Sequence, residues 1–242
     1  MKTAFVTGSS RGIGRAIALR LAADGFRVIL HGTRPSDKLT GLKAEIEARG
    51  GQADIATADL CDLNATKALA EVVAQADVVV LNASIQYRTP WQEISAEACL
   101  AQLNCNFVSS MLLIQAAVPH MKQAGWGRVI TIGSVQEAKP HPDMLVYSAS
   151  KAAQTNMAIS LSLQLAEFGI TVNNVAPGVI YTDRNVEALA DPEYAKKVTD
   201  SIPVKFYGQP EDCAGIVSLL CSEDGRYITG QSIYVDGGKS VQ

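Results

Sequence analysis

Tyr147 and Lys151 stand four residues apart in LVYSASKAAQTNMAISL, and Ser134 lies thirteen residues before the tyrosine. Positions i and i+4 of a helix share a face, so the phenol and the ammonium can converge on one point. A cation near a phenol favours the phenolate and lowers a pKa that is ordinarily about 10. A phenol tuned in this way gives or takes a proton near neutral pH. A hydroxyl delivered from a neighbouring strand end, as Ser134 would be, can hold and polarise a carbonyl oxygen. Tyr/Lys pairs at this spacing also decorate solvated helix faces, so the pair gains meaning only from what surrounds it.

A second group of residues reads as an anion cradle. The segment KTAFVT runs straight into Gly8-Ser9-Ser10-Arg11-Gly12-Ile13-Gly14 and then into RAIALRLAADG. Gly8 suits a tight turn, Gly12 lets backbone approach a pyrophosphate, and Gly14 lets helix and strand pack closely. The free N–H groups at the helix start then face the phosphates. The spacing is G-x-x-x-G-x-G rather than G-x-G-x-x-G, and its weight comes from its place between a first strand and a first helix. At the end of the second strand a carboxylate would bind the ribose 2′-hydroxyl of NAD and repel a 2′-phosphate. Here the residues are His31, Gly32, Thr33 and Arg34, with no carboxylate before Asp37. Arg34 and Arg11 can clamp a 2′-phosphate, so NADP(H) is favoured and NAD(H) is left open. Either arginine also reads as surface charge. Asp59, in TADLCD, is placed to meet an adenine amino group and equally to cap the helix that follows.

The elements that must position these groups alternate from end to end. Strands are expected at 3–7, 27–31, 52–57, 78–82, 128–132, 171–175 and 232–235, and several, such as VVVL and RVITI, are continuously apolar. Such runs suit parallel strands covered on both faces. Amphipathic helices are expected at 13–24, 39–49, 64–75, 96–124, 146–168 and 210–222. The alternation predicts an α/β fold: a single-domain, Rossmann-type, doubly wound, seven-stranded parallel sheet flanked by helices on both faces, spanning 1–242. The irregular stretch 182–208 reads as an insertion covering the ligand crevice.

Composition closes off other classes. Of 242 residues 48% are hydrophobic and 19% charged, with a net charge of −3 and no Lys/Arg run. That balance offers neither a nucleic-acid footprint nor a polybasic membrane patch. The start, MKTAFVTGSSRG, lacks the apolar core of a signal peptide, and no run approaches about 18 uninterrupted apolar residues. No membrane span is expected. Five cysteines without a C-x-x-C and three isolated histidines fit a reducing cytoplasm and no metal.

Taken in order, these pieces resemble the short-chain dehydrogenase/reductase family over essentially the whole chain. The matching motifs are Thr7-Gly8-x-x-x-Gly12-x-Gly14, Asn82-Ala83 after the fourth strand, Asn104 in AQLNCN, and Ser134 in TIGS. They continue with Tyr147-x-x-x-Lys151, Asn174-x-x-Pro177-Gly178 with Thr182, and Val235-Asp236-Gly237-Gly238. The resemblance implies that Tyr147 is the general acid/base, and that Lys151 lowers its pKa and binds the nicotinamide ribose. It further implies that Ser134 orients the substrate carbonyl and that Asn104 holds a water in a proton relay behind Lys151. Cofactor contacts are implied from Gly8, Ser10, Arg11, Gly12, Ile13 and Gly14, from Arg34, from Asp59 and Leu60, and from Asn82 and Ala83. The loop carrying Pro177, Gly178, Ile180 and Thr182 would meet the nicotinamide, beside Tyr147 and Lys151. The family also implies a homotetramer or homodimer, joined through the long helices and the last strand. One motif departs: Ser84 stands where the family usually has glycine, which adds a Cβ near the cofactor and removes easy access to positive φ.

For the substrate, NASIQYRTPW, GSVQEAKPHPD and the stretch beginning TDRNVEALADPEYAKK are similar to bacterial sugar-acid reductases such as gluconate 5-dehydrogenase and 2-keto-3-deoxygluconate dehydrogenases. Arg88 is the candidate partner of a substrate carboxylate. Gln86, Gln136, Glu137, His141 and Asn185 would hydrogen-bond a polyol, although each also reads as a solvent-facing loop residue. A small polar molecule is therefore the expected partner. Two alternatives compete. A 3-oxoacyl-[acyl-carrier-protein] reductase is favoured by GSSRGIG and GTR and disfavoured by the lack of a clear basic patch. A catalytically idle dinucleotide sensor is disfavoured by the complete Asn104/Ser134/Tyr147/Lys151 set.

Overall fold

Strand β1 (Thr3–Val6) sends Ala4 and Val6 to one side of a sheet and Phe5 to the other, and all three are fully buried. Both faces of this strand are therefore covered, as its unbroken apolar run requires. The computed structural model describes residues 1–242. After β1 come α1 (Gly12–Ala23), β2 (Arg27–Gly32), α2 (Asp37–Ala48), β3 (Gln52–Thr57), α3 (Leu63–Val73) and β4 (Val78–Leu81). Then follow α4 (Ala96–Leu103), α5 (Ser109–Ala124), β5 (Gly127–Ile132), α6 (Leu145–Leu165) and β6 (Ile170–Pro177). The last elements are α7 (Val186–Leu189), α8 (Pro192–Asp200), α9 (Pro210–Cys221) and β7 (Ser232–Val235).

All seven strands pair in parallel in the order β3-β2-β1-β4-β5-β6-β7, the doubly wound arrangement expected from the alternation. One core lies under α1, α2 and α9, with Ile17, Leu21, Leu42, Ile46 and Val217 facing Val6, Val28 and Val80. The other lies under α3, α5 and α6, with Leu69, Leu113, Met121 and Leu165 facing Phe5, Val79 and Val129. The strand order reverses between β1 and β4, and a crevice opens where chains leave in opposite directions.

The expected helix 96–124 is continuous but not uniform. A turn of π-helix, Asn104–Val108, joins α4 to α5. Such a bulge inserts one extra residue and shifts which side chains face inward. By length and composition the run Ala96–Ala124 could cross a membrane. Here its residues Leu113, Ile114, Ala117 and Met121 are packed in the core beneath the sheet.

The stretch 182–208 holds α7 and α8 and is tied back by the bridge between Ile180 and Gly208.

Candidate active site

A cleft of about 920 Å³ runs along the carboxyl ends of the strands. At one end stands the glycine loop. Gly8 and Gly12 adopt positive φ of 64° and 56°, which only glycine takes without strain. A Cβ on Gly14 would lie 2.4 Å from the Gly8 carbonyl oxygen and 2.5 Å from Asn82 Nδ2. Gly14 therefore sits behind the cleft, packing α1 onto the strand, while Gly8, Ser10, Arg11, Gly12 and Ile13 line it. The Asn82 amide fills the space that Gly14 leaves, donating to the Thr7 and Gly8 carbonyls at 2.9 and 3.1 Å. Thr7 Oγ1 in turn accepts from the amides of Asn82 and Ala83, which pins the end of β4 to the end of β1.

His31 holds the loop from beneath. Its Nδ1 accepts from Gly8 N at 3.2 Å and its Nε2 faces the Ala58 carbonyl at 3.1 Å, so the proton resides on Nε2. Burial pushes its pKa from 6.5 down to about 4. The unfolded chain thus binds this proton more tightly than the folded one. The stability that neutral His31 contributes is complete above pH 6.5 and is lost as pH falls towards 4. Urea unfolding from pH 7 to 4.5 is expected to show a loss of roughly 3 kcal/mol from this residue, since a tenfold change in proton binding is worth about 1.4 kcal/mol. In His31→Gln that component of the slope should vanish; an unchanged slope would remove His31 from the account.

Past the end of β3, Asp59 and Leu60 line the cleft. Asp59 does not cap α3. Asp62 does, accepting from Asn64 N and Ala65 N, while Asp59 accepts from Cys61 N and stays exposed. Arg34 is exposed and outside the lining; Arg11 is inside it, paired with Asp183, which Lys38 also engages. Asn82 and Ala83, beside the glycine loop, and Pro177, Gly178, Ile180 and Thr182, after β6, also line the cleft.

The reactive end is built on α6 and the end of β5. Ser134, 8% exposed, accepts from Gln136 N at the start of a short 3₁₀ turn. Tyr147 and Lys151 are 6% and 1% exposed, and Lys151 Nζ lies 5.8 Å from the tyrosine ring centre. Lys151 donates to the Ile132 carbonyl at 2.6 Å and to Gln154 Oε1 at 3.1 Å. Burial, followed by the nearby Arg184 cation, pushes its pKa down to about 7. The expected lowering of the Tyr147 pKa by Lys151 is not found. Burial raises the phenol, and the groups that oppose the rise are the Arg184 guanidinium and the Ser134 hydroxyl. The lysine is committed to the backbone and to Gln154, and Arg184 is the cation that opposes the rise.

The asparagine also differs from expectation. Asn104 lies outside the cleft lining and donates to the Cys61 carbonyl at 3.4 Å. Asn106, fully buried, accepts from Ile85 N and donates to Ile85 O, both at 2.9 Å, and to Ser150 Oγ at 3.0 Å. Its own carbonyl accepts from Ser110, which accepts from Gln154, the partner of Lys151. The π turn determines which asparagine looks inward, and the sequence signal was the second Asn of LNCN.

Among the substrate candidates, Gln86, Arg88, Gln136, His141 and Asn185 line the cleft. Gln136 accepts from Ser148, His141 accepts from Asp143 N, and Asn185 donates to Ile180 O. Glu137 is not at the cleft. Its carboxylate accepts from Thr155, Asn174 and Ser232, stitching α6 to the middle of β6 and the start of β7. Ser84 does not strain the chain, because Lys205 is the sole non-glycine residue at positive φ. Its carbonyl and hydroxyl instead accept from Arg184, which sequence reasoning missed. The available signal was Ser84 itself, a polar side chain in a glycine position that needs a partner.

The family model for enoyl-(acyl carrier protein) reductase matches residues 8–240. The chain belongs to the short-chain dehydrogenase/reductase family. A glucose 1-dehydrogenase of Gluconobacter oxydans is 39% identical over 99% of this chain and 92% of its own. A protein of Beutenbergia cavernae described as an NAD(P) dependent gluconate 5-dehydrogenase, with NADP at low occupancy, superposes with a TM-score of 0.95. It is 34% identical over 100% of this chain and 97% of its own. A 3-oxoacyl (acyl-carrier-protein) reductase of Agrobacterium tumefaciens, with NADP bound, has a TM-score of 0.93 and 36% identity, covering 98% and 93%. As a short-chain dehydrogenase/reductase, the protein is an NAD(P)-dependent oxidoreductase. The cleft fits that cofactor: a loop at the start of α1 with glycines at positions 8 and 12 for the phosphates, and the buried Tyr147 and Lys151 in the same lining.

Proposed function

We propose that this short-chain dehydrogenase/reductase interconverts a secondary alcohol and a ketone on a small, polar, sugar-acid-like substrate, with NADP(H) as its preferred cofactor. The observation that carries the reading is the meeting of Ser134 and Tyr147, backed by buried Lys151, in the cleft that holds the glycine loop. When bound, the nicotinamide supplies the hydride. Ser134 holds the carbonyl oxygen, and Tyr147 gives it a proton. A phenol kept protonated by burial suits that direction; alcohol oxidation needs the phenolate and gains with rising pH. Lys151 binds the ribose side and, through Gln154 and Ser110, connects to the carbonyl of Asn106. Asn106, not Asn104, is the asparagine that serves the site in this reading.

Two relatives crystallised with NADP support the cofactor choice, as do the lack of a carboxylate at the end of β2 and the presence of Arg11 and Lys38 nearby. A bidentate arginine–phosphate contact is worth about 1.5–3 kcal/mol, so kcat/KM should favour NADPH over NADH by roughly 10–100-fold. Arg11→Ala and Arg34→Ala should each narrow that ratio. A wild-type preference for NADH would overturn the cofactor reading. The substrate panel is NADPH oxidation against 5-ketogluconate, 2-keto-3-deoxygluconate, acetoacetyl thioesters and simple diketones. Turnover confined to thioesters would transfer the reading to 3-oxoacyl reduction. Leu145, Ile159 and Leu163 leave an apolar stripe on α6 exposed, which supports a homotetramer; light scattering on the same preparation reads its mass, and a monomer would refute it.

A further inference from the structure

Arg184 is a cation without a carboxylate. It sits in the covering segment just before α7 and reaches back across the cleft to the end of β4. Its Nη2 donates to Ser84 O at 2.9 Å and to Ser84 Oγ at 3.3 Å, and its Nη1 donates to Ser84 Oγ and Gln86 Oε1, both at 3.4 Å. All of these acceptors are neutral, and no ion pair in the protein includes Arg184. Its neighbour Asp183 is already engaged by Arg11 and Lys38. The guanidinium and the Tyr147 phenol line the same cleft, and the cation opposes the rise of the phenol's pKa. The cleft lining also carries Arg88, Lys139 and Lys239, against the carboxylates of Asp59 and Glu187, which make no ion pair, and Asp183, which does.

We infer that Arg184 selects the substrate, and that the substrate is an oxo acid whose carboxylate lies one or two carbons from the ketone. The inference rests on the ketone/alcohol chemistry proposed above and names its substrate class. The spacing follows from position. Tyr147 addresses the ketone oxygen, and Arg184 lines the same cleft with its fork held at Ser84 and Gln86, so an anion close to the same carbon is the one it is expected to hold. A carboxylate several carbons away, as in 5-ketogluconate, would instead meet Arg88. A planar guanidinium offers five N–H donors in a fork that matches a carboxylate bidentately. The long bonds to Ser84 Oγ and Gln86 can give way to such a ligand, while the 2.9 Å bond to the Ser84 carbonyl keeps the fork in place. Ser84, where the family usually has glycine, is then a positioning residue for Arg184.

The test compares steady-state reduction by NADPH of pyruvate and acetoacetate, their methyl esters, 2,3-butanedione and 5-ketogluconate. The wild-type enzyme is expected to prefer the oxo acids to their esters. In Arg184→Met, kcat/KM for the oxo acids should fall by roughly 10²-fold, mostly through KM, as for the loss of a charge-assisted pair. The fall for 2,3-butanedione should be much smaller. Arg184→Lys should recover part of the loss, and Ser84→Gly should move the same way as Arg184→Met to a lesser degree. The NADPH dissociation constant, read by nicotinamide fluorescence, separates a substrate role from a cofactor role. Equal losses on oxo acid and diketone, a weakened NADPH affinity in Arg184→Met, or a preference for 5-ketogluconate that depends on Arg88 would each overturn the inference. In those cases wild-type ketone reduction still stands. A wild-type enzyme that reduces none of these ketones would sink the proposed function itself and this inference with it.

Discussion

Tyr147→Phe is expected to lower kcat for ketone reduction by roughly 10²–10⁴-fold, the span that a positioned general acid supplies. The substitution removes one oxygen from a buried side chain and leaves the ring, so α6 and its packing should persist. The NADPH dissociation constant should stay within about twofold, because the glycine loop, Asn82 and the 177–182 wall are untouched. Ser134 would still hold the carbonyl, but the proton must then come from water, which does not readily replace a residue only 6% exposed. The wild-type pH profile adds a second readout. Burial raises the Tyr147 pKa, so reduction should persist to high pH while oxidation climbs with it. A phenylalanine variant that keeps its turnover would remove Tyr147 from the chemistry. A variant that loses NADPH binding as well would place the phenol in the cofactor site instead.

The strands were legible because parallel strands buried on both faces must be apolar without interruption, and few other segments here are. VVVL and RVITI needed no partner to be recognised, and all seven expected strands occur within a residue or two of their places. The glycine loop was equally clear, since its residue types answer to local geometry: positive φ at Gly8 and Gly12, and no room for a Cβ at Gly14. Local rules leave local signals.

What the sequence concealed were relations between distant segments. Arg184 and Ser84 are a hundred residues apart, and nothing in either segment says that one anchors the other. Glu137 read as a polyol ligand because it lies in GSVQEAKPHPD, yet Thr155 on α6, Asn174 within β6 and Ser232 at the start of β7 claim its carboxylate. The i,i+4 rule brought Tyr147 and Lys151 to one face, but it could not show that the Ile132 carbonyl and Gln154 would take the ammonium. The resemblance slipped at one place. It pointed to Asn104, but across the π turn it is Asn106 that is buried against Ile85 and Ser150, while Asn104 stands half-buried outside the cleft lining.

That slip has a measurable consequence. Asn106→Ala should destabilise the protein by about 3 kcal/mol or more, because Ile85 N, Ile85 O and Ser150 Oγ would each lose a buried partner, at about 1–3 kcal/mol per group left unsatisfied. Asn104→Ala removes one 3.4 Å bond to the Cys61 carbonyl from a half-buried side chain, and should cost less than about 1 kcal/mol. The two differ in turnover as well. Asn106 and Gln102, four residues apart, together pin Ile85 and Tyr87, and with them the segment that carries Ser84 and Gln86 to Arg184. Freeing Ile85 therefore loosens the wall beside Tyr147, and kcat/KM should drop by roughly tenfold or more, as small misplacements at a reacting centre do. Should Asn106→Ala fail to fold, Asn106→Asp keeps the shape and the bond from Ile85 N while setting a carboxylate oxygen against Ile85 O. Urea denaturation and NADPH-linked kinetics on Asn104→Ala, Asn106→Ala and Asn106→Asp decide the matter. Losses as large at position 104 as at 106 would return the role to Asn104 and show that the π turn does not direct the site.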